Sequence, residues 1–211
     1  MAAIAGRLSL RPPQRQALAV LDQLTRFLPL RRTSGHVPSE LRDALASVNA
    51  FYPAVSDFER DFPSLCFALA TGVGKTRLMG AFIAYLHDVH RIRNFLVLAP
   101  NLTIYDKLIA DFTPGSPKYV LKGIADFALS PPTITTGDNY ERQIAGGGRL
   151  FPVAINIFNI AKLNAEVRSG RAPRIRSFRE ELGESYFDHL AGLDDLVLNR
   201  IAIAARRACA C

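Results

Sequence analysis

The sequence has few cysteines and no long apolar run. Its three cysteines (Cys66, Cys209 and Cys211) do not make a disulfide framework, and we expect Cys66, which lies in an apolar stretch, to be a buried thiol. No apolar segment approaches the ~20 residues that span a bilayer, and residues 1–10 lack the charged-then-apolar pattern of a secretory signal. These absences argue against disulfide-rich secreted and membrane-spanning classes, and they predict a cytoplasmic protein without a membrane partner.

The chain also lacks the composition of a disordered protein. Of its 211 residues, 49% are hydrophobic and 21% are charged, which are ordinary values for a globular α/β domain. The net charge of +7 suits a polyanionic partner, and nucleic acid is the first candidate. The alternative is a mildly basic surface with no partner, since three of the arginines lie in the last dozen residues.

One motif carries clear chemistry, and it reads Ala70-Thr71-Gly72-Val73-Gly74-Lys75-Thr76. It lies between an apolar run at residues 65–69 and an amphipathic one at 78–86, which predicts a strand, a glycine-rich loop and a helix. Glycines let backbone N–H groups converge on phosphate oxygens, and the helix N-terminus adds a favourable dipole. Lys75 is expected to reach the β- and γ-phosphates, and the Thr76 hydroxyl to bind Mg²⁺.

Hydrophobic periodicity predicts alternating helices and strands along the chain. Helices are predicted at residues 10–28, from 39 to about 48, and at 75–89, 103–112, 159–167 and 177–190. Strands are predicted at residues 65–69, 94–99, 151–158 and from 193 to 198, with short pieces at 119–121 and 133–136. This alternation predicts an α/β fold with a mostly parallel sheet flanked by helices and a ligand at the carboxyl ends of the strands.

Four segments, in this order, resemble the motifs of one family. They are Leu10-Arg11-Pro12-Pro13-Gln14, the loop at residues 70–76, Leu98-Ala99-Pro100-Asn101, and Ile155-Asn156-Ile157-Phe158-Asn159 followed by Lys162. They are similar to the adenine-reading segment, motif I, motif Ia and a later DNA-facing motif of superfamily 2 DEAD/DEAH-box helicases. The closest resemblance is to the translocase (Res) subunit of type III restriction enzymes. Leu69, where the strict phosphate-loop pattern has glycine, points to the same helicase-like branch.

The resemblance implies the fold, ligands and partners of this family. It implies a P-loop NTPase (RecA-like) fold, namely the first lobe of a helicase, with ATP and Mg²⁺ as ligands and DNA and a modification (methyltransferase) subunit as partners. It assigns adenine reading to Gln14, and DNA-backbone contacts to Asn101, Thr103 and Lys107. It assigns the ATP phosphates to Thr71, Gly72, Val73, Gly74, Lys75 and Thr76. For Asn101 and Thr103, a local helix cap is an equally good interpretation.

The second catalytic segment of such a motor is not recognisable. A strand such as residues 196–198 should deliver an Asp-Glu pair that holds Mg²⁺ and polarises the attacking water. The sequence has Asn199 and Arg200 there instead, whereas Asp194 and Asp195 precede the strand. We therefore assign no catalytic residue and predict a lobe that is truncated before this motif and cannot hydrolyse ATP alone. Residues 199–211 resemble a frame-shifted reading, and the rival interpretation is a genuine short protein.

These observations divide the chain into three parts and leave two other functions open. The parts are an N-terminal helical segment (1–56), a partial ATP-binding lobe (57–198) and an aberrant tail (199–211). One alternative function is a different P-loop enzyme, such as a nucleotide or small-molecule kinase, which would need an acidic Mg²⁺ partner. The other is a catalytically dead nucleic-acid-binding protein whose DNA binding would not depend on Lys75.

Overall fold

The structure, a computed structural model, describes residues 1–30, 38–58, 63, 65–139 and 153–159. In these ranges the chain forms helices α1 Ala2–Arg7, α2 Pro12–Leu24, α3 Pro38–Phe51, α4 Lys75–His90, α5 Leu102–Phe112 and α6 Ala125–Leu129. The strands of the same ranges are β1 Asn94–Ala99, β2 Thr133–Thr136 and β3 Ala154–Asn159. The chain divides into two compact units, one of which contains Met1–His90 while the other begins at Arg91. None of the described helices has the length and apolar character needed to cross a membrane.

Helix α2 forms within the predicted range 10–28, but it ends at Leu24, and residues 25–28 form turns and a bend. Arg11 is its N-cap with extended backbone, and Pro12 and Pro13 occupy the first turn, where a missing N–H costs no hydrogen bond. The buried positions of α2 follow a helical period, and they are Gln14, Ala17, Leu18, Leu21 and Leu24. The helix packs on α4, while its last residue contributes with α3 to a cluster around Val48 and Phe58.

Helices α2 and α4 run parallel and in register. At their N-terminal ends, Gln14 Nε2 donates a hydrogen bond of 2.8 Å to the carbonyl oxygen of Gly74. At their C-terminal ends, the hydroxyls of Thr25 and Tyr85 are hydrogen bonded at 3.1 Å. Both bonds join residues that are 60 positions apart in sequence. Because this offset is the same at the two bonds, the helices keep one register along this length. The pair is thus fixed at both ends.

The Tyr85 hydroxyl is the centre of a polar cluster between the two helices. The ring is 1% exposed, and its hydroxyl donates to Asp22 Oδ1 at 2.8 Å and lies 3.4 Å from His90 Nε2. The hydrogen bond from Tyr85, helped by Arg26 at 3.0 Å, holds the pKa of Asp22 below its usual value. Burial raises the pKa of Tyr85. The cluster therefore keeps Asp22 charged and Tyr85 neutral.

We expect Tyr85→Phe to lower the free energy of unfolding by about 1–3 kcal/mol, because Asp22 loses a donor and buried Thr25 loses a partner. Because the folded state lowers the pKa of Asp22, this carboxylate stabilises the fold above its unfolded pKa, and the contribution is lost as the pH falls through the folded value. The variant should therefore lose less stability than the wild type on going from about pH 5 to about pH 3. Urea unfolding across that range measures both effects.

Tyr52→Phe is the matched control for this experiment. The Tyr52 hydroxyl donates at 3.0 Å to a neutral amide oxygen, Gln23 Oε1, whereas the Tyr85 hydroxyl donates to a carboxylate. Tyr52→Phe should lower the free energy of unfolding by at most about 1 kcal/mol and leave its dependence on acid pH unchanged. An equal acid response in Tyr85→Phe and wild type would contradict the role given to the cluster.

The second unit contains a three-stranded parallel sheet in the order β1-β3-β2. Ala99 of β1 lies opposite Asn159, and Thr136 of β2 lies opposite Ile157. Alternate residues of β1 and β3 are buried, and α5 packs against all three strands. The predicted parallel α/β arrangement is confirmed for this part of the chain, and all three strands end at the same edge.

Two predictions about the segment before the glycine-rich loop are wrong. Residues 65–69 form no strand, and Cys66 is exposed rather than buried. An extended apolar segment becomes a strand only when a neighbour supplies hydrogen bonds, and none of the three described strands pairs with it. Its side chains alternate between half-buried and exposed, so the thiol faces outwards.

Elsewhere the predictions had mixed outcomes. The helices at residues 75–89 and 103–112 and the strands at 94–99 and 133–136 are confirmed, and the strand at 151–158 is confirmed from residue 154. Residues 119–121 form turns instead of a strand, and the short helices α1 and α6 were not predicted. The helices expected at 159–167 and 177–190 and the strand at 193–198 lie outside the described residues.

Candidate nucleotide-binding site

The glycine-rich loop leads directly into α4, as its sequence predicts. Gly72 and Gly74 have φ angles of +78° and +83°, which is the left-handed region that side chains with a Cβ atom avoid. Lys75 is the first residue of α4, and the first N–H groups of a helix have no acceptor within it. Two reversals of the chain followed by a helix start bring several N–H groups together, which is the geometry of an anion cradle.

Lys75 lies across this loop. Its Nζ donates to the carbonyl oxygen of Ala70 at 2.9 Å, so the positive charge is already held over the cradle. A Cβ atom placed on Gly72 would meet no heavy atom within 4 Å, which leaves room for a phosphate group on that side. Thr76 follows in the first turn of α4 and is half-buried, while Thr71 is exposed. The loop residues predicted to bind ATP phosphates therefore lie together and fit a polyphosphate.

Gln14 is brought to the same loop from α2, although it is 60 positions away in sequence. Its side chain is 1% exposed, and both halves of its amide have protein partners. Nε2 donates to the Gly74 carbonyl oxygen at 2.8 Å, and Oε1 accepts from the Arg11 backbone N–H at 2.7 Å. In this structure the Gln14 amide thus contacts the loop itself.

Arg11, which was not among the predicted site residues, also contacts the loop. Its Nη1 donates to the carbonyl oxygen of Gly72 at 3.4 Å from an exposed position. The sequence could have indicated this contact, because Arg11 lies three residues before Gln14. Residues three apart at the start of a helix lie on the same face of that helix. Arg11 adds a second positive charge beside the loop of Lys75.

Metal binding at this loop would depend on the nucleotide. Within the described ranges, no group of three or more His, Cys, Asp or Glu residues could hold a metal ion. Mg²⁺ keeps several waters and readily takes phosphate oxygens as ligands. The Thr76 hydroxyl together with phosphate oxygens and water therefore fits an ion that arrives with its nucleotide.

The residues predicted to contact DNA lie in the second unit, where β1 ends and α5 begins. Asn101 is the N-cap of α5, and its Oδ1 accepts from the Ile104 backbone N–H at 2.9 Å. The local-cap interpretation of Asn101 therefore applies, although the residue is exposed and its amide N–H₂ can still donate outwards. Thr103 is exposed on the first turn, and Lys107 is exposed with its Nζ 3.8 Å from Asp111 Oδ2.

The later segment that resembles a DNA-facing motif is the central strand β3. Ile155 and Ile157 are buried in the core, and Asn156 Nδ2 donates to the Phe95 carbonyl oxygen of β1 at 3.1 Å. Asn159 is 3% exposed at the carboxyl end of the strand. Most of this segment therefore serves the sheet, and Lys162 lies outside the described residues.

A comparison with known protein families agrees with this geometry. A family model described as type III restriction enzyme, res subunit, matches residues 7–190. The matched span includes the start of α2, the glycine-rich loop, α4, α5 and the complete described sheet. No curated protein and no solved structure matched the chain.

Proposed function

The chain belongs to the family of type III restriction enzyme res subunits, and we propose that its loop at residues 70–76 binds ATP together with Mg²⁺. Membership of this family implies a helicase-like P-loop NTPase fold with an ATP-binding domain. The observation that carries the proposal is the loop geometry, with two left-handed glycines, a lysine over the cradle and a helix start behind it. Such a loop presents backbone donors and positive charge to phosphates.

The proposed roles follow from where each group lies. Lys75 leaves the Ala70 carbonyl and donates to the β- and γ-phosphates, which accept a charge-assisted hydrogen bond more strongly than a neutral carbonyl does. Thr76 binds Mg²⁺, which neutralises phosphate charge when bound. The backbone N–H groups of residues 71–76 surround the phosphates. The adenine reading that the family resemblance assigns to Gln14 stays a prediction, because both halves of its buried amide have protein partners in this structure.

We propose no catalytic residue in this chain. The 211-residue polypeptide by itself is expected to bind ATP weakly and to release no phosphate at a useful rate, because its sequence supplies no Asp-Glu pair after a strand to activate water. The division into residues 1–56, 57–198 and 199–211 stays a prediction of the sequence.

The test of ATP binding is a titration with a fluorescent ATP analogue, with and without Mg²⁺, followed by competition with unlabelled ATP. Saturable binding that unlabelled ATP displaces supports the proposal. A folded chain that binds no analogue contradicts it. A phosphate-release assay on the same sample tests the second part, and turnover that disappears in Lys75→Ala would contradict the absence of catalysis.

We further propose that the start of α5 contacts the phosphate backbone of DNA, in a motor whose other parts include a modification subunit. The net charge of +7 and the exposure of Asn101, Thr103 and Lys107 support this. Contacts of this kind position the protein and carry no sequence information. In a complete motor, ATP hydrolysis would drive movement along DNA.

Asn101→Asp separates a DNA contact from a helix cap. Aspartate caps a helix as well as asparagine does, and its negative charge interacts favourably with the positive N-terminal end of α5. The free energy of unfolding should therefore be unchanged or slightly higher. The same negative charge should repel DNA phosphates, and we expect affinity for a short duplex to fall about three- to tenfold at low salt. Fluorescence anisotropy at several salt concentrations measures this effect.

Lys107→Gln and Asn49→Asp complete this experiment. Lys107→Gln should remove one phosphate contact. The slope of log binding constant against log salt concentration should then become shallower by about one. Asn49 is an exposed asparagine of α3, so Asn49→Asp makes the same charge change on a helix to which no DNA contact is assigned. Equal loss of DNA affinity in Asn49→Asp and Asn101→Asp would show a general charge effect and contradict the proposed contact.

Family membership weighs against the two alternative functions, a P-loop kinase and a catalytically dead nucleic-acid-binding protein. No observation on the described residues favours either of them. A P-loop kinase would place an acidic Mg²⁺ partner on an internal strand, and β3 carries Ile155, Asn156, Ile157, Phe158 and Asn159 instead. A catalytically dead nucleic-acid-binding protein would bind DNA equally well with and without Lys75. The DNA titration with Lys75→Ala distinguishes that possibility.

A further inference from the structure

The start of α2 holds the phosphate loop through the carbonyl groups of both left-handed glycines. Arg11 Nη1 donates to the Gly72 carbonyl oxygen at 3.4 Å, and Gln14 Nε2 donates to the Gly74 carbonyl oxygen at 2.8 Å. Glycine has the largest backbone freedom of any residue, so these are the two positions where the loop changes shape most easily. Two side chains three residues apart thus restrain the two most flexible positions of the loop.

Restraining a carbonyl group also orients the N–H group that follows it. The peptide unit is planar, and in a trans peptide the C=O of one residue and the N–H of the next point in opposite directions. Fixing the Gly74 carbonyl therefore fixes the Lys75 N–H, and fixing the Gly72 carbonyl fixes the Val73 N–H. The Gly74 carbonyl also accepts from the Leu78 N–H at 3.2 Å, which directs the Lys75 N–H away from the helix and towards the cradle.

The Gln14 side chain is built into this contact. It is 1% exposed, and a Cβ atom on Gly74 would lie 2.8 Å from Gln14 Nε2, so the amide fills the space beside the glycine. Its Oε1 is held by the Arg11 N–H at 2.7 Å. The contact cannot slide along the helices, because the Thr25–Tyr85 hydrogen bond fixes the register of α2 on α4 at the other end.

From these contacts we infer that Gln14 is a positioning residue for the phosphate loop, and that it strengthens binding of the triphosphate group whichever base is attached. The inference rests on the proposed function, since it presumes that the loop binds a nucleotide. It differs from adenine reading in its consequence. A residue that reads adenine affects ATP alone, whereas a residue that shapes the cradle affects every ligand that carries a triphosphate.

The test compares ATP, GTP and inorganic tripolyphosphate, each with Mg²⁺, by calorimetry well below the melting temperature. In Gln14→Glu, one carboxylate oxygen can still accept from the Arg11 N–H, but the other cannot donate to Gly74 and repels its carbonyl oxygen. We expect the affinity for all three ligands to fall by the same factor, about tenfold or more. Gln16→Glu makes the same change on an exposed position of α2 and should leave all three affinities unchanged.

The outcomes separate this inference from the proposed function. A loss confined to ATP, with GTP and tripolyphosphate unaffected, would overturn it and leave adenine reading as the role of Gln14. Failure of the wild-type chain to bind any of the three ligands would refute the proposed function itself. A melting temperature that falls while all three affinities stay unchanged would show a merely structural role and also overturn the inference.

Arg11→Gln provides a second variant should Gln14→Glu fail to fold. The Arg11 side chain is exposed, so shortening it leaves the buried core of α2 unchanged. Its longer and weaker contact to Gly72 predicts a smaller loss, about two- to fivefold, again equal for the three ligands. Unequal losses that follow the identity of the base would contradict the positioning role.

Discussion

Lys75→Ala is expected to lower the affinity for ATP roughly 10- to 150-fold, because a hydrogen bond to a charged group is worth about 1.5–3 kcal/mol. The Lys75 ammonium already lies over the loop, where it donates to Ala70, so little rearrangement is needed for it to reach a phosphate. Equilibrium titration with a fluorescent ATP analogue measures the loss. Stability should change little, since the lost contact is a hydrogen bond to one carbonyl in an exposed setting.

Arg77→Ala is the control for charge. Arg77 is an exposed cation two residues further along α4 and carries the same charge as Lys75. If its removal weakened ATP binding as much as removal of Lys75, the effect would come from the general positive field of the protein. The specific contact assigned to Lys75 would then be contradicted.

Gly74→Ala should weaken ATP binding about as much as Lys75→Ala does, because it distorts the backbone of the loop. Alanine at a φ of +83° costs about 1–2 kcal/mol. In addition, its Cβ would lie 2.8 Å from Gln14 Nε2, a separation at which one of the two groups must move. We expect a clear loss of stability and the loss of ATP binding, because the shift either breaks the Gln14 contact or turns the Lys75 N–H away from the cradle.

Two other glycines serve as controls that separate the backbone cost of Gly74→Ala from the collision of its Cβ atom with Gln14. Gly72 has a similar φ of +78° but open space around the added Cβ, so Gly72→Ala should show the backbone cost without the collision. Gly6 lies in α1 with no atom within 4 Å of an added Cβ, and Gly6→Ala should stabilise the chain by about 0.5–1 kcal/mol. Thermal melts and ATP titrations of the three variants measure these changes in stability and affinity. Equal losses at Gly72 and Gly74 would contradict the contact with Gln14.

Local patterns in the sequence predicted the elements whose shape depends on local periodicity. Helix α4 lies where the 3.6-residue apolar pattern places it, and strand β1 lies where a continuous apolar run ends before Pro100. Helix α5 begins one residue before its expected start. The loop itself was also predicted, because glycines, lysine and threonine at fixed spacing have a direct chemical meaning. These features need no knowledge of distant partners.

Features that depend on distant partners were not predictable in the same way. Residues 65–69 are apolar enough for a strand, but pairing is decided by whichever strand lies beside them, and no local pattern encodes that. Gln14 was placed at the site by family resemblance, yet its bond to Gly74 joins residues 60 positions apart. Asn101 fitted both a cap and a DNA contact, and only the position of Ile104 N–H shows that it caps α5.

We propose that the loop at residues 70–76 is a working phosphate cradle in this chain. The most direct measurement is calorimetric titration of ATP with Mg²⁺ into the 211-residue protein, together with circular dichroism to verify that the sample is folded. We predict one saturable site per chain, whose affinity for ATP falls roughly 10- to 150-fold in Lys75→Ala and stays unchanged in Arg77→Ala. A folded wild-type chain that shows no saturable ATP binding would contradict it.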